Sequence, residues 1–132
     1  MPMHPGVYAD LLSGKMEEHG AKAWLINTGW SGGSYGVGKR MKLRFTRAML
    51  NAAMNGELDN VEYVVDARFG FEVPVECPNV PVEILQPRNT WEDVSSFDST
   101  ADKLATMFNE NFARYSAGVS DEVNAAAPQS LA

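Results

Sequence analysis

Lys22-Ala23-Trp24-Leu25-Ile26-Asn27-Thr28 runs directly into Gly29-Trp30-Ser31-Gly32-Gly33-Ser34-Tyr35-Gly36-Val37-Gly38-Lys39-Arg40. The first seven residues are short and apolar-rich, a pattern that predicts a buried strand. The next twelve contain five glycines. No regular element tolerates that density, so the stretch predicts a loop built on positive φ angles or close backbone approach. Upstream, Val7, Tyr8, Leu11, Leu12 and Met16 recur at helical spacing between Pro5 and Gly20. They predict an amphipathic helix over 7–19, which Gly14 weakens by about 1 kcal/mol relative to alanine. A helix followed by a buried strand is the start of an α/β layer arrangement.

Downstream, Ala48, Met49, Ala52 and Ala53 form an apolar stripe and predict a helix over 46–55. Thr46 is its candidate N-cap, and Gly56 after Asn55 closes it. Tyr63 to Val65 and Phe69 to Val75 predict two strands, the second closed by Pro74. Pro74, Pro78, Pro81 and Pro87 follow one another closely, which predicts an extended surface connection from Cys77 to Pro87. A last helix is expected from about Ser99 to Tyr115, with Leu104, Met107, Phe108, Asn111, Phe112 and Tyr115 on one side. Residues 117–132 are alanine-rich and polar without a period, and read as a mobile tail.

The chain has 132 residues, 45% hydrophobic and 10% aromatic, and a net charge of -6. That supports one domain with a core, and disfavours a general nucleic-acid or anionic-membrane surface. Cys77 is the only cysteine, so no internal disulfide can form, which suits a reducing compartment. No apolar run approaches the ~20 residues of a membrane span, and the first residues lack the pattern of a secretory signal. The expectation is a soluble cytoplasmic protein.

Gly33-Ser34-Tyr35-Gly36-Val37-Gly38-Lys39-Arg40 nearly satisfies the phosphate-loop pattern of Gly, four residues, Gly-Lys and Ser or Thr. Backbone N–H groups in such a loop can surround an anion, and the lysine adds a point charge. The eighth position departs: a hydroxyl that would ligate Mg²⁺ is replaced by Arg40. Three readings stay open on the local pattern. One is a phosphate loop with an altered metal site, another a structural glycine turn with solvated basic residues. The third is a loop that meets a nucleotide away from its phosphates, where the Arg40 guanidinium can lie over an adenine face.

Several motifs in order carry a resemblance. They are Met3-His4-Pro5, Leu25-Ile26-Asn27-Thr28-Gly29-Trp30, Gly36-Val37-Gly38-Lys39-Arg40-Met41, Phe45-Thr46-Arg47-Ala48-Met49, Pro87-Arg88-Asn89-Thr90-Trp91 and Asn111-Phe112. From the N-terminus to about Tyr115 the chain resembles ATP-dependent phosphoenolpyruvate carboxykinases, with the tail outside the likeness. The resemblance implies an α/β fold: a fragment of the C-terminal mononucleotide-binding lobe, with a mixed sheet and flanking helices, over residues 1–116. It implies a decarboxylating lyase of gluconeogenesis that converts oxaloacetate and ATP into phosphoenolpyruvate, ADP and CO₂. It also implies that the true phosphate loop, the ligands for Mg²⁺ or Mn²⁺ and the oxaloacetate-binding arginine lie upstream of the matched region. On that basis this chain holds no catalytic or metal-ligating residue and is inactive alone.

What carries over is an adenine-nucleotide contact. Arg40 and the backbone at Met41 are implied to meet the adenosine of ATP, and Thr46 to place a hydroxyl near the base. Gly38 and Lys39 shape the loop. Because Met1 falls inside the family's reading frame, the chain reads as truncated at the front, with an N-terminal part of the enzyme as its expected partner. Faces of 22–28 and 46–55 that would pack on that part are expected to be exposed, favouring self-association. A non-enzymatic alternative is a freestanding nucleotide-binding or subunit-interaction module, motivated by the tail.

Other residues have plainer readings. His4 and His19 lack ligand partners at metal spacing and read as turn or surface residues. Cys77 has no histidine pattern that would activate it. Glu17 and Glu18 form a solvated helix face, and Trp24, Trp30 and Trp91 read as packing anchors. Arg88 reads as a residue that holds a turn rather than one that touches substrate.

Overall fold

The computed structural model of the chain describes residues 3–131. The first helix, α1, spans Pro5–His19. His4 occupies its N-cap, its Nδ1 accepting from the Gly6 N–H at 3.2 Å, and Pro5 sits where a missing donor costs nothing. Gly20 ends the helix at φ +60°, in the left-handed region that suits glycine. The expected helix is therefore present, but its apolar face is uncovered: Leu11 and Leu12 are both exposed.

Residues 22–28 depart from expectation. They form no strand, and Leu25 is 80% exposed. A strand is defined by its ladder, and no neighbouring segment among the described residues offers one here. Trp24 packs against the core, tilted against Tyr63 at 6.4 Å between ring centroids, and Ile26 is half-buried.

The glycine-rich stretch is a loop whose ends pair. β1 (Trp30–Ser31) and β2 (Lys39–Arg40) are antiparallel, with Trp30 opposite Arg40 and Ser31 opposite Lys39. α2 then spans Leu43–Met54. Lys42, not Thr46, takes the N-cap position, so Thr46 lies inside the first turns. The C-terminus follows the sequence closely. Gly56 adopts φ +71°, the Glu57 N–H donates to the Ala52 carbonyl at 2.9 Å, and the Gly56 N–H reaches Ala53 at 3.5 Å. That pair of bonds is the Schellman closure of a helix.

β3 (Tyr63–Val65) and β4 (Glu72–Pro74) form a second antiparallel pair, with Val64 opposite Val73. Asp66 shapes the turn between them, its Oδ1 accepting from the Arg68 and Phe69 N–H groups. The expected mixed sheet does not form among the described residues. Two separate two-stranded sheets stand in its place. The architecture is α/β in composition, with short sheets and helices.

The proline-rich stretch is a larger correction. It is core rather than a surface connection: Cys77, Val80 and Leu85 are buried together with Phe45, Ala52 and Leu58. Cys77 and Val80 bridge across a tight turn in which Asn79 takes φ +62°, and a short helix α3 spans Val82–Leu85. Each proline sits where its missing N–H is tolerated, Pro81 at the N-cap of α3 and Pro87 opening a 3₁₀ turn over Pro87–Thr90. Burial raises the Cys77 thiol above its ordinary pKa, which leaves it inert as a nucleophile.

α4 spans Val94–Phe112, starting earlier and ending sooner than the sequence suggests. Asp93 caps it, accepting from the Ser95 N–H at 2.9 Å and from the Ser96 and Ser95 hydroxyls at 2.6 and 2.7 Å. The Ser96 and Ser95 hydrogen bonds hold the Asp93 carboxyl down at about 2. The buried residues of α4 are Ala101 and Ala105; Leu104, Met107 and Phe108, expected to face a core, are exposed. Beyond α4 lie a 3₁₀ turn at Ser116–Gly118 and a five-residue helix α5 over Asp121–Ala125. The end of the chain touches the body through Gln129 N–H to the Arg68 carbonyl at 2.7 Å and Leu131 N–H to Asp102 at 2.8 Å. No helix among the described residues is long and apolar enough to cross a membrane.

Arg68 gathers this end of the molecule. It grips Asp102 on α4 through two bonds of 2.8 and 3.1 Å and reaches Asp98 at 3.4 Å. Arg88 takes Asp98 from the other side through two bonds of 2.9 Å. The Arg68 hydrogen bonds, with help from the Leu131 N–H, hold the Asp102 carboxyl at about 2. A carboxylate depressed in the folded state stabilises it above the unfolded value, about pH 4, and that contribution is lost as pH falls toward 2. The expected result is a melting temperature that drops between about pH 4 and 2. Asp102→Asn should flatten that drop while lowering the neutral-pH value. Identical acid profiles for the two proteins would remove the network from the stability account.

Candidate functional site

The β1–β2 hairpin, α3 and the Pro87–Thr90 turn enclose a cleft of about 390 Å³. Ser31, Gly32, Val37, Lys39, Arg40, Met41, Ile84, Thr90 and Glu92 line it. Its walls are largely apolar, from Val37, Met41 and Ile84, with Lys39, Arg40 and Glu92 as the charged groups. A flat apolar body with a polar rim fits such a lining.

Local chain geometry sets this wall. The Met41 N–H donates to the Gly29 carbonyl at 2.9 Å, extending the hairpin one step past Arg40. Gly38 is buried, and a Cβ there would lie 2.6 Å from the Gly33 carbonyl oxygen, so the loop closes tightly only with glycine. The Val37 and Gly38 N–H groups both donate to the Ser34 carbonyl, at 3.0 and 2.9 Å. These amides would have to point outward together to cradle a phosphate. They are turned onto the loop's own backbone instead.

Of the residues expected to meet a nucleotide, the structure brings Arg40 and Met41 together at the cleft. Arg40 is exposed and Met41 half-buried. Thr46 does not line the cleft; it is half-buried on α2, its N–H 3.4 Å from the Lys42 carbonyl. Lys39 lines the cleft rather than simply facing solvent. Sequence reasoning missed Ser31, Ile84, Thr90 and Glu92. Thr90 was within reach, since it belongs to a quoted motif, but its contact with Ser31 joins residues 59 positions apart.

Other singled-out residues have structural partners. Arg88 holds α4 through Asp98, as its reading as a structural residue implied. Trp91 packs edge-on against Phe97 at 5.6 Å, whereas Trp30 is largely exposed and anchors no core. Among the described residues no three His, Cys, Asp or Glu side chains converge as a metal site.

Comparison with known proteins places the chain in a family. A family model for phosphoenolpyruvate carboxykinase matches residues 1–83. Phosphoenolpyruvate carboxykinase (ATP) of Flavobacterium johnsoniae is 57% identical over 128 residues, 97% of this chain and 24% of that protein. The protein of the same name from Thermus thermophilus is 54% identical over 129 residues, 98% of this chain and 24% of its own length. That from Brevibacillus brevis is 52% identical over 125 residues, 95% and 24% respectively. The chain therefore spans about a quarter of the length of the curated relatives it matches. The alignments also correct the expected end of the likeness. With 128 of 132 residues aligned, it continues past Tyr115 through most of residues 117–132, which removes the motive for treating that segment as a separate interaction module. A match over more than half the residues, backed by identities above 50% along nearly the whole sequence, shows that the chain belongs to the ATP-dependent phosphoenolpyruvate carboxykinase family.

Proposed function

We propose that this chain is the C-terminal quarter of an ATP-dependent phosphoenolpyruvate carboxykinase and supplies one wall of its adenosine pocket. The complete enzyme would convert oxaloacetate and ATP into phosphoenolpyruvate, ADP and CO₂, as a cytoplasmic step of gluconeogenesis. The observation that carries the reading is the pairing of Arg40 and Met41 at the rim of an apolar cleft, beside a loop whose amides are already engaged. A guanidinium over a purine face and a thioether beneath it suit the base end of a nucleotide. Thr46 takes the third contact, to the base, once the rest of the enzyme closes over α2.

The triphosphate end does not fit here. The loop amides of Val37 and Gly38 are committed to Ser34, and Arg40 stands where a metal-binding hydroxyl would be needed. Mg²⁺ or Mn²⁺ and the phosphates would be held by the remaining three quarters of the enzyme. That missing part is also the natural cover for the exposed segment around Leu25; without it, self-association through such a surface is expected.

Calorimetry on the 132-residue chain tests the site. Adenosine and ATP should bind with similar modest affinity, and Arg40→Ala should weaken both about tenfold, the scale of one well-placed cation–π contact. Inorganic tripolyphosphate should bind no better than to the Arg40→Ala variant. If tripolyphosphate competes with ATP while adenosine does not, the loop holds phosphate and the adenosine assignment fails.

A further inference from the structure

We propose that Thr90 is a positioning residue for the adenosine contact, acting through Ser31 to fix the β1–β2 hairpin and with it Arg40. The proposal rests on the reading of Arg40 given above, and a line of contacts leads to it. The Thr90 hydroxyl has one hydrogen, which it donates to the Pro87 carbonyl at 2.7 Å. The Ser31 hydroxyl, 3.1 Å away, is therefore the donor in the Ser31–Thr90 bond. Gly32 brings the backbones close as well: at φ +81°, a Cβ there would lie 3.0 Å from the Thr90 carbonyl oxygen.

The turn that carries Thr90 is itself fastened. Arg88 grips Asp98 of α4 through two guanidinium nitrogens, Nε and Nη2, and Trp91 packs edge-on against Phe97. The sequence Pro87-Arg88-Asn89-Thr90-Trp91 thus works as a two-sided clasp, with Arg88 and Trp91 holding α4 and Thr90 holding the hairpin. On the hairpin side Ser31 pairs with Lys39 and Trp30 with Arg40. A two-rung ladder is marginal in water by itself, so an outside hold at Ser31 decides how firmly its last rung is placed. Arg40, on that rung, inherits its position from Thr90 through Ser31, which lies 59 residues from Thr90 in sequence.

The test uses the full 132-residue chain in two readouts. Backbone amide exchange of residues 30–41 should quicken about fivefold in Ser31→Ala and Thr90→Val, the scale of one lost hydrogen bond. Exchange in the middle of α2 should not change, and Thr90→Ser should restore protection. Adenosine affinity, measured by calorimetry, should fall several-fold in Ser31→Ala. Combined with Arg40→Ala, it should cause no further loss, because the two changes act through one contact. Unchanged exchange in both single variants overturns the proposal. Additive losses overturn it differently, by making Ser31 a direct ligand contact. If Arg40→Ala itself leaves adenosine binding intact, the adenosine reading fails and its positioning residue fails with it, whatever the exchange data show.

Discussion

Phe45→Ala is expected to destabilise the chain by about 3–5 kcal/mol, the range for deleting a buried aromatic ring. Phe45 is 7% exposed and joins Ala52 and Leu58 to Cys77, Val80 and Leu85. The cluster is small and its members come from four separate segments, so few neighbours can relax into the space. A domain of this size has roughly 5–15 kcal/mol of total stability, so the loss would consume much of it. The Arg44 guanidinium, 4.7 Å above the ring, would also lose its partner. Urea denaturation followed by tryptophan fluorescence measures the effect. Leu25→Ala is the internal control: at 80% exposure it should change stability by no more than about 0.5 kcal/mol. Equal effects from the two substitutions would mean that this cluster is not the core.

Legibility in the sequence tracks how local the determining interaction is. α1 and the end of α2 were readable because Pro5, Gly20 and Gly56 act within one helical turn, through missing donors and left-handed φ angles. The strand at Tyr63–Val65 was readable from its aromatic and β-branched run. The second, expected from Phe69, starts only at Glu72, because Asp66 holds the Arg68 and Phe69 N–H groups in the turn. Residues 22–28 carry the same composition as a buried strand, yet composition cannot supply the ladder partner that makes one. Cys77 to Pro87 misled in the opposite direction. Prolines forbid regular ladder bonding, but they do not forbid burial, and Val80 and Leu85 between them go inward. The start of α4, expected at about Ser99, lies at Val94. The Ser95 and Ser96 hydroxyls bond to the Asp93 cap and the Ser99 hydroxyl to the Ser95 carbonyl four residues back, which a helix start accepts.

The candidate site divides along the same line. Arg40 stands out locally because an arginine occupies the one position where a phosphate loop needs a hydroxyl. That anomaly is visible in eight consecutive residues, whereas the adenosine contact of Arg40, and that of Met41, came only from the family resemblance. Thr46 was read locally as a cap and, through the family resemblance, as a base contact, and the structure places Lys42 at the cap. Ser31, Thr90 and Glu92 enter the cleft through tertiary folding alone. Of the three only Thr90 lies in one of the motifs that carry the resemblance, and its link to Ser31 spans 59 residues.

The largest functional effect expected is all-or-none: the purified 132-residue chain should form no phosphoenolpyruvate from oxaloacetate and ATP. Phosphoryl transfer depends on positioning the triphosphate and neutralising its charge with cations. The loop that resembles a phosphate cradle spends its Val37 and Gly38 amides on the Ser34 carbonyl. No three carboxylate, histidine or cysteine side chains gather among the described residues to hold the cation. Grafting should restore what the piece lacks. When residues 1–132 replace the matching quarter of the Flavobacterium johnsoniae enzyme, to which they are 57% identical, the chimera should regain oxaloacetate-dependent phosphoenolpyruvate formation in a coupled assay. Arg40→Ala in that chimera should raise the KM for ATP about tenfold and leave the KM for oxaloacetate unchanged, as the proposed contact with the base end of the nucleotide requires. Turnover by the isolated chain would put the reaction's charge-stabilising groups inside these 132 residues. A chimera that folds, binds ATP normally and ignores Arg40→Ala would instead move the adenosine contact to another part of the enzyme.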